Sequence, residues 1–250
     1  LMVNNPKFLP INVKHPINPQ AQAPANQNLG DSAPKSNKID PSIRELDLSR
    51  LSLYPFKINL DWNEENEIDL SFFPNLTKLD CSNNNLSKLD LSHTPRLTEL
   101  WCHNNRLHEL DLSHTPELQL LHCGGNKLAE IDVSPVPELL RFFCYKNNLS
   151  QLDISPAVTL RKLFCDWNEL DELDLSTTPA LTTVCCYHNK LSQLDLSHTP
   201  QLEKLNGRNN YLTKLDISKL PKLKSLYVKN NFLMGIDISQ HPYLDDIDFT

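Results

Sequence analysis

The sequence predicts a thin solenoid of short parallel β-strands with little helix. A leucine recurs every 21 residues, at positions 76, 97, 118, 139, 160, 181, 202, 223 and 244. The residues between these leucines repeat as well. A fixed period of this length marks stacked units, each burying its apolar face against the next. Glycine is scarce, with 5 in 250 residues, which predicts few tight turns of positive φ.

Residues 1–42 come first and differ in composition. They hold seven prolines, from Pro6 and Pro10 to Pro34 and Pro41, among Asn, Gln, Ala, Ser and Lys, without helical or strand period. Such a segment predicts a tail or wrapping arm. The solenoid is expected over residues 43–250. Residues 43–75 read as degenerate coils, 76–243 as eight regular repeats and 244–250 as a partial repeat. In the degenerate part, Ile58, Leu60, Asn63 and Ile68 to Ser71 keep the pattern one period before Leu76, and Leu46 to Ser49 looks like a displaced LDLS segment.

The repeat reads LxxLxCxxNxLxxLDLSxxPx. Within its first half, Leu79 and Cys81 alternate with polar neighbours, the period-2 mark of a strand. The second half carries the same leucine spacing, at Leu86, Leu89 and Leu91, and predicts a second short strand on the opposite wall. One asparagine slot is filled in every repeat, from Asn84 to Asn231. A buried amide there can satisfy backbone groups left unpaired in the bend. Ser and Pro after the second half suit a turn.

These words, LxxLxCxxN followed by LxxLDLxx, resemble the leucine-rich-repeat family, and most closely its bacterial nested type, over about residues 43–250. The resemblance implies a solenoid and recognition of protein ligands. It implies no particular partner.

Composition narrows the function further. No apolar run of about 18 residues is present for a membrane span, and the N-terminus has no apolar signal core. The expectation is a chain that is cytoplasmic or exported without a visible signal peptide. A formal charge of -7 makes nucleic acid an unfavoured partner. Cys81, Cys102, Cys123, Cys144, Cys165 and Cys186 share one inward slot, which Val228 also fills. Stacked strands hold such side chains about 4.8 Å apart, farther than a disulfide prefers. Reduced, buried thiols are therefore predicted, with no metal and no cofactor. The Asp ladder from Asp90 to Asp237 stacks carboxylates on the second wall, where like charges should raise one another's pKa. Solvated or backbone-bonded Asp is expected there rather than calcium. Ser-His-Thr recurs at 92–94, 113–115 and 197–199, and repetition argues against catalysis. Cys185 near His188 and Asp166 lacks an evident oxyanion site or pocket. The chain is expected not to be an enzyme.

Function should lie in the outward slots that vary. These place Trp101, Phe143, Tyr145, Phe164, Trp167 and Tyr187 on neighbouring rungs, with Tyr227 further along. Outward aromatics that form a patch mark an interaction surface. From Arg141 to Lys229, the same slots hold Arg141, Lys146, Lys162, Lys204, Arg208 and Lys229 against Asp166 alone. The predicted partner is a protein or peptide, acidic with an apolar spot. Two alternatives share these residues: a recognition domain of a larger secreted bacterial effector or enzyme, and a single-stranded nucleic-acid binder using the rings for base stacking. End-to-end self-association through an open sheet edge is also expected to be available.

Overall fold

A computed structural model describes residues 44–47 and 69–249. The arm over residues 1–42 lies outside the described residues, as do Trp62, the coil around Ile58 to Ile68, and Thr250. Ten three-residue strands follow one another: β1 (Glu45–Asp47), β2 (Lys78–Asp80), β3 (Glu99–Trp101), β4 (Leu120–His122), β5 (Arg141–Phe143), β6 (Lys162–Phe164), β7 (Thr183–Cys185), β8 (Lys204–Asn206), β9 (Ser225–Tyr227) and β10 (Asp246–Asp248). They form one parallel sheet in chain order. Among the described residues there is no helix.

From β2 onward, each strand sits 21 residues after its neighbour, with Leu79 opposite Leu100 and Leu100 opposite Leu121. The start departs from this rule. Glu45 pairs directly with Lys78, so the strand beside β2 comes from 33 residues upstream. Leu46 thus takes the first-wall slot of Leu79 and not the second-wall LDLS slot that its sequence suggested. Lys78 helps fix this start, with its ammonium 3.7 Å from Glu45 and 4.0 Å from Glu99.

The interior is a stack of aliphatic ladders. Leu76, Leu79, Cys81, Leu86 and Leu91 and their equivalents are buried along the coil. Burial of these groups is the main driving force, at ~25 cal/mol per Å² of apolar surface. The asparagine slot carries the polar side of the core. Asn126 Nδ2 donates to the carbonyls of Cys102 (3.0 Å) and Cys123 (2.9 Å), while its Oδ1 accepts the Leu107 N–H at 3.0 Å. The same three bonds recur at Asn147, Asn168, Asn189 and Asn210. Each amide ties its own rung to the one before.

The second wall forms no strand among the described residues, contrary to its leucine spacing. It makes one backbone bond per rung, such as Arg106 N–H to Leu86 O (2.8 Å) and Lys127 N–H to Leu107 O (2.9 Å). Beyond that bond the chain turns on itself. Asp111 Oδ1 accepts the Ser113 N–H at 2.8 Å, and the Thr115 N–H returns to Leu112 O at 3.0 Å. An Asx turn uses the donors that a ladder would need, and the following proline has none.

Positive φ is not rare, despite the few glycines. One residue per rung adopts it: Asn83, Asn104, Gly125, Lys146, Trp167, His188, Asn209 and Asn230. Asparagine tolerates this conformation and supplies it in half of the rungs.

Candidate functional site

The pleat turns the first and third residues of each strand away from the core. The residue two places after the third lies beside them on the outer face. His103 and His122 stack with centroids 3.9 Å apart and planes at 15°. His122 continues to Phe143 at 5.0 Å, and Phe143 stacks on Phe164 at 4.8 Å. His122 Nε2 also lies 3.0 Å from the Tyr145 hydroxyl. Tyr145 reaches it by lying over Gly124, where an added Cβ would stand 2.8 Å from the ring. Glycine is needed there as a notch for the ring.

A second cluster surrounds Asp166, which is buried. Tyr187 hydrogen-bonds its carboxylate. Trp167 meets Tyr187 edge-on at 6.4 Å and stacks on His188 at 3.8 Å. Burial raises the Asp166 pKa to about 6, partly offset by hydrogen bonds and by Lys146. Burial lowers His103 to about 4. Burial, reinforced by the charge of His103, lowers His122 to about 3. Both imidazoles are therefore neutral at pH 7 and belong to the ring ladder.

A third cluster closes the face. The Arg208 guanidinium lies 4.5 Å from the Tyr227 ring centre, and its Nε donates to Asp248 at 2.8 Å. Tyr227 also bonds Asp246. Arg208 and Tyr227 are thus engaged within the protein, which lowers the cationic excess expected along these slots. Lys146, Lys162, Lys204 and Lys229 are exposed and Arg141 is half-buried.

Trp101 needs correction as a contact residue. It stands on the outer side of β3 but is only 5% exposed, so it presents little surface to a partner. Phe143, Tyr145, Phe164 and Tyr187 are half-buried, while Trp167 is 45% exposed. The sequence reading missed His103 and His122 as rings continuous with the aromatics. Their signal was present, since both occupy the same varying slots as Trp101 and Tyr145.

The positive-φ slot marks another feature. Lys146, Trp167 and His188 fill it on three successive rungs where neighbouring rungs use Asn or Gly. A residue with a Cβ in this region costs roughly 1–2 kcal/mol, less for Asn, while Gly has no Cβ to clash. Trp167 and His188 form one wall of a groove of about 680 Å3 along the turns, with Tyr211 and Phe232 on the other.

Comparison with known proteins agrees with this architecture. A family model described as leucine-rich repeats (2 copies) matches residues 74–115. The functional domain of InlJ from Listeria monocytogenes, described as including a cysteine ladder, is similar at 36% identity and TM-score 0.71. That match covers 72% of this chain and 40% of that one. The chain carries leucine-rich repeats and folds as a leucine-rich-repeat solenoid. The Leptospira interrogans leucine-rich-repeat protein LIC12759 shares the fold, with 24% identity and TM-score 0.66 over 72% of this chain and 50% of that one. The leucine-rich-repeat domain of APL1B is 28% identical with TM-score 0.63, over 72% of this chain and 56% of that one. The chain thus spans about half the length of these structures. No curated protein sequence matches it.

Like the InlJ domain, this leucine-rich-repeat chain stacks its cysteines. Cys81, Cys102, Cys123, Cys144, Cys165 and Cys186 are all buried free thiols. Burial pushes the outward Cys185 thiol up to about 12, so it is a poor source of thiolate at neutral pH. On the second wall the Asp ladder is backbone-bonded, and its pKa values move opposite to the expected rise. The backbone N–H and then the hydroxyl of the following serine hold Asp90, Asp111, Asp174, Asp195, Asp216 and Asp237 below their ordinary value. Hydrogen bonds to the charged form outweigh repulsion between solvated neighbours.

Proposed function

We propose that this leucine-rich-repeat chain is a non-catalytic protein-interaction module whose partner docks on the outer strand face. Leucine-rich-repeat proteins of this kind are interaction modules. The observation that carries the reading is the continuous ladder of half-exposed rings through His122, Phe143, Tyr145 and Phe164, with Tyr187 beside it and lysines around it. Such rings supply large contact area at little cost in side-chain entropy. Lys146, Lys162 and Lys204 favour an acidic partner with an apolar spot. Arg208, Tyr227 and Trp101 contribute to the shape of the face more than to direct contact.

Affinity capture followed by mass spectrometry tests this, comparing the native chain with the double variant Phe143→Ala, Phe164→Ala. The expected result is a captured acidic protein whose affinity falls at least tenfold in the variant and weakens with salt. Undiminished capture by a variant with native circular dichroism would remove the strand face as the docking site.

A further inference from the structure

The groove along the turns is distinct from the strand face and shares Trp167 and His188 with its Asp166 cluster. Its floor is the asparagine ladder, including Asn189 and Asn210, and its walls carry two ring pairs. Trp167 stacks on His188 with planes 16° apart, and Tyr211 stacks on Phe232 with planes 15° apart. These pairs lie on opposite walls and on successive rungs, so a ligand running along the groove meets one and then the other. Trp167, Tyr211 and Phe232 are all substantially exposed. Core packing therefore does not account for them.

Three further observations specify the ligand. The charges in the groove cancel, because Lys190 pairs with Glu169. The rings stand beside a line of amides, in which Asn230 Nδ2 donates to Asn209 Oδ1 at 2.6 Å and Asn209 Nδ2 lies 2.9 Å from His188 Nε2. Each of these amide nitrogens uses one N–H in that line, and a primary amide carries two. Finally, Trp167 and His188 hold positive φ, as Lys146 does one rung before them, where the remaining rungs place Asn or Gly. Backbone strain borne by a ring left half exposed points to a use outside the fold.

We propose that this groove binds a neutral oligosaccharide. The C–H faces of sugar rings suit flat aromatic platforms, hydroxyl groups suit amide donors and acceptors, and an uncharged polymer suits a groove without net charge. Rungs recur about every 4.8 Å, which lets successive sugars meet successive rungs. A proline-rich peptide is the rival occupant, since it also docks in aromatic-lined grooves.

The test titrates the full chain by calorimetry with cellotetraose, chitotetraose, maltotetraose and mannotetraose, and with a synthetic peptide of residues 10–25. At least one tetrasaccharide should bind, with affinity reduced at least tenfold in Tyr211→Ala and Phe232→Ala and retained in Phe164→Ala. Absence of binding by all four sugars, or binding of the peptide alone, would overturn the proposal. Trp167→Asn supplies a second readout. It should abolish sugar binding and raise the thermal midpoint, because asparagine fits the backbone better. A lowered midpoint would show that Trp167 serves the fold, and the proposal would fail.

Discussion

The two walls of the coil start from nearly the same leucine spacing and reach different structures. The first wall is a continuous parallel sheet, locked to the next rung by asparagine amides with two carbonyl partners and one N–H partner each. The second wall has a single backbone bond per rung and closes on itself through Asp–Ser turns. Apolar periodicity decides which side chains point inward. Whether the backbone forms a ladder depends on which polar residues compete for its donors.

Removing one polar anchor from each wall should expose this difference, and the largest effect is expected at the first. Asn147→Ala leaves the Leu128 N–H without its partner and takes one of two amide donors from the Cys123 and Cys144 carbonyls, which keep Asn126 and Asn168. The expected loss is roughly 3–4 kcal/mol in urea unfolding, since one abandoned buried N–H costs about 1–3 kcal/mol and each of the two further lost hydrogen bonds about 1 kcal/mol. Asp153→Ala removes a solvated Asx turn and should shift the midpoint much less. Equal losses would mean that the second wall is held as firmly as the first.

Asp166 tests the first wall by pH. Its folded pKa of about 6 lies above its ordinary 3.8. The favourable contribution is complete below 3.8 and is lost as pH rises through about 6, leaving a buried charge at neutral pH. Asp166→Asn keeps an acceptor for Tyr187 and should stabilise the chain by about 1–3 kcal/mol at pH 7.5. At pH 4 the gain should nearly vanish. A gain independent of pH would assign the effect to packing instead of charge. The second-wall aspartates have the opposite sign: their lowered pKa values mean stability that is lost as pH falls through the carboxylate range.

The smallest effect is expected in the cysteine ladder. Cys144→Val places at this slot the residue that Val228 already supplies, and should change stability by less than about 1.5 kcal/mol. A much larger loss would show that the thiol does more than fill space.

Much of the solenoid was legible in the sequence. The 21-residue period set the rungs, the Leu79 and Cys81 alternation placed the first-wall strands, and the asparagine slot announced a buried amide ladder. These readings succeed because each rung solves the same local problem, so eight copies of one pattern repeat the answer. The candidate site was only partly legible. Phe143, Tyr145, Phe164 and Tyr187 were found by slot, but His103 and His122 were not grouped with them.

The inward and outward faces were therefore determined by the sequence itself, through a period that each rung obeys on its own. Tertiary structure decided the rest. It buried Trp101, engaged Arg208 with Asp248, paired residues 45–47 with β2, and lined one groove with Trp167, His188, Tyr211 and Phe232. Those outcomes depend on contacts between rungs and on backbone donors taken by local turns, neither of which a one-dimensional period encodes.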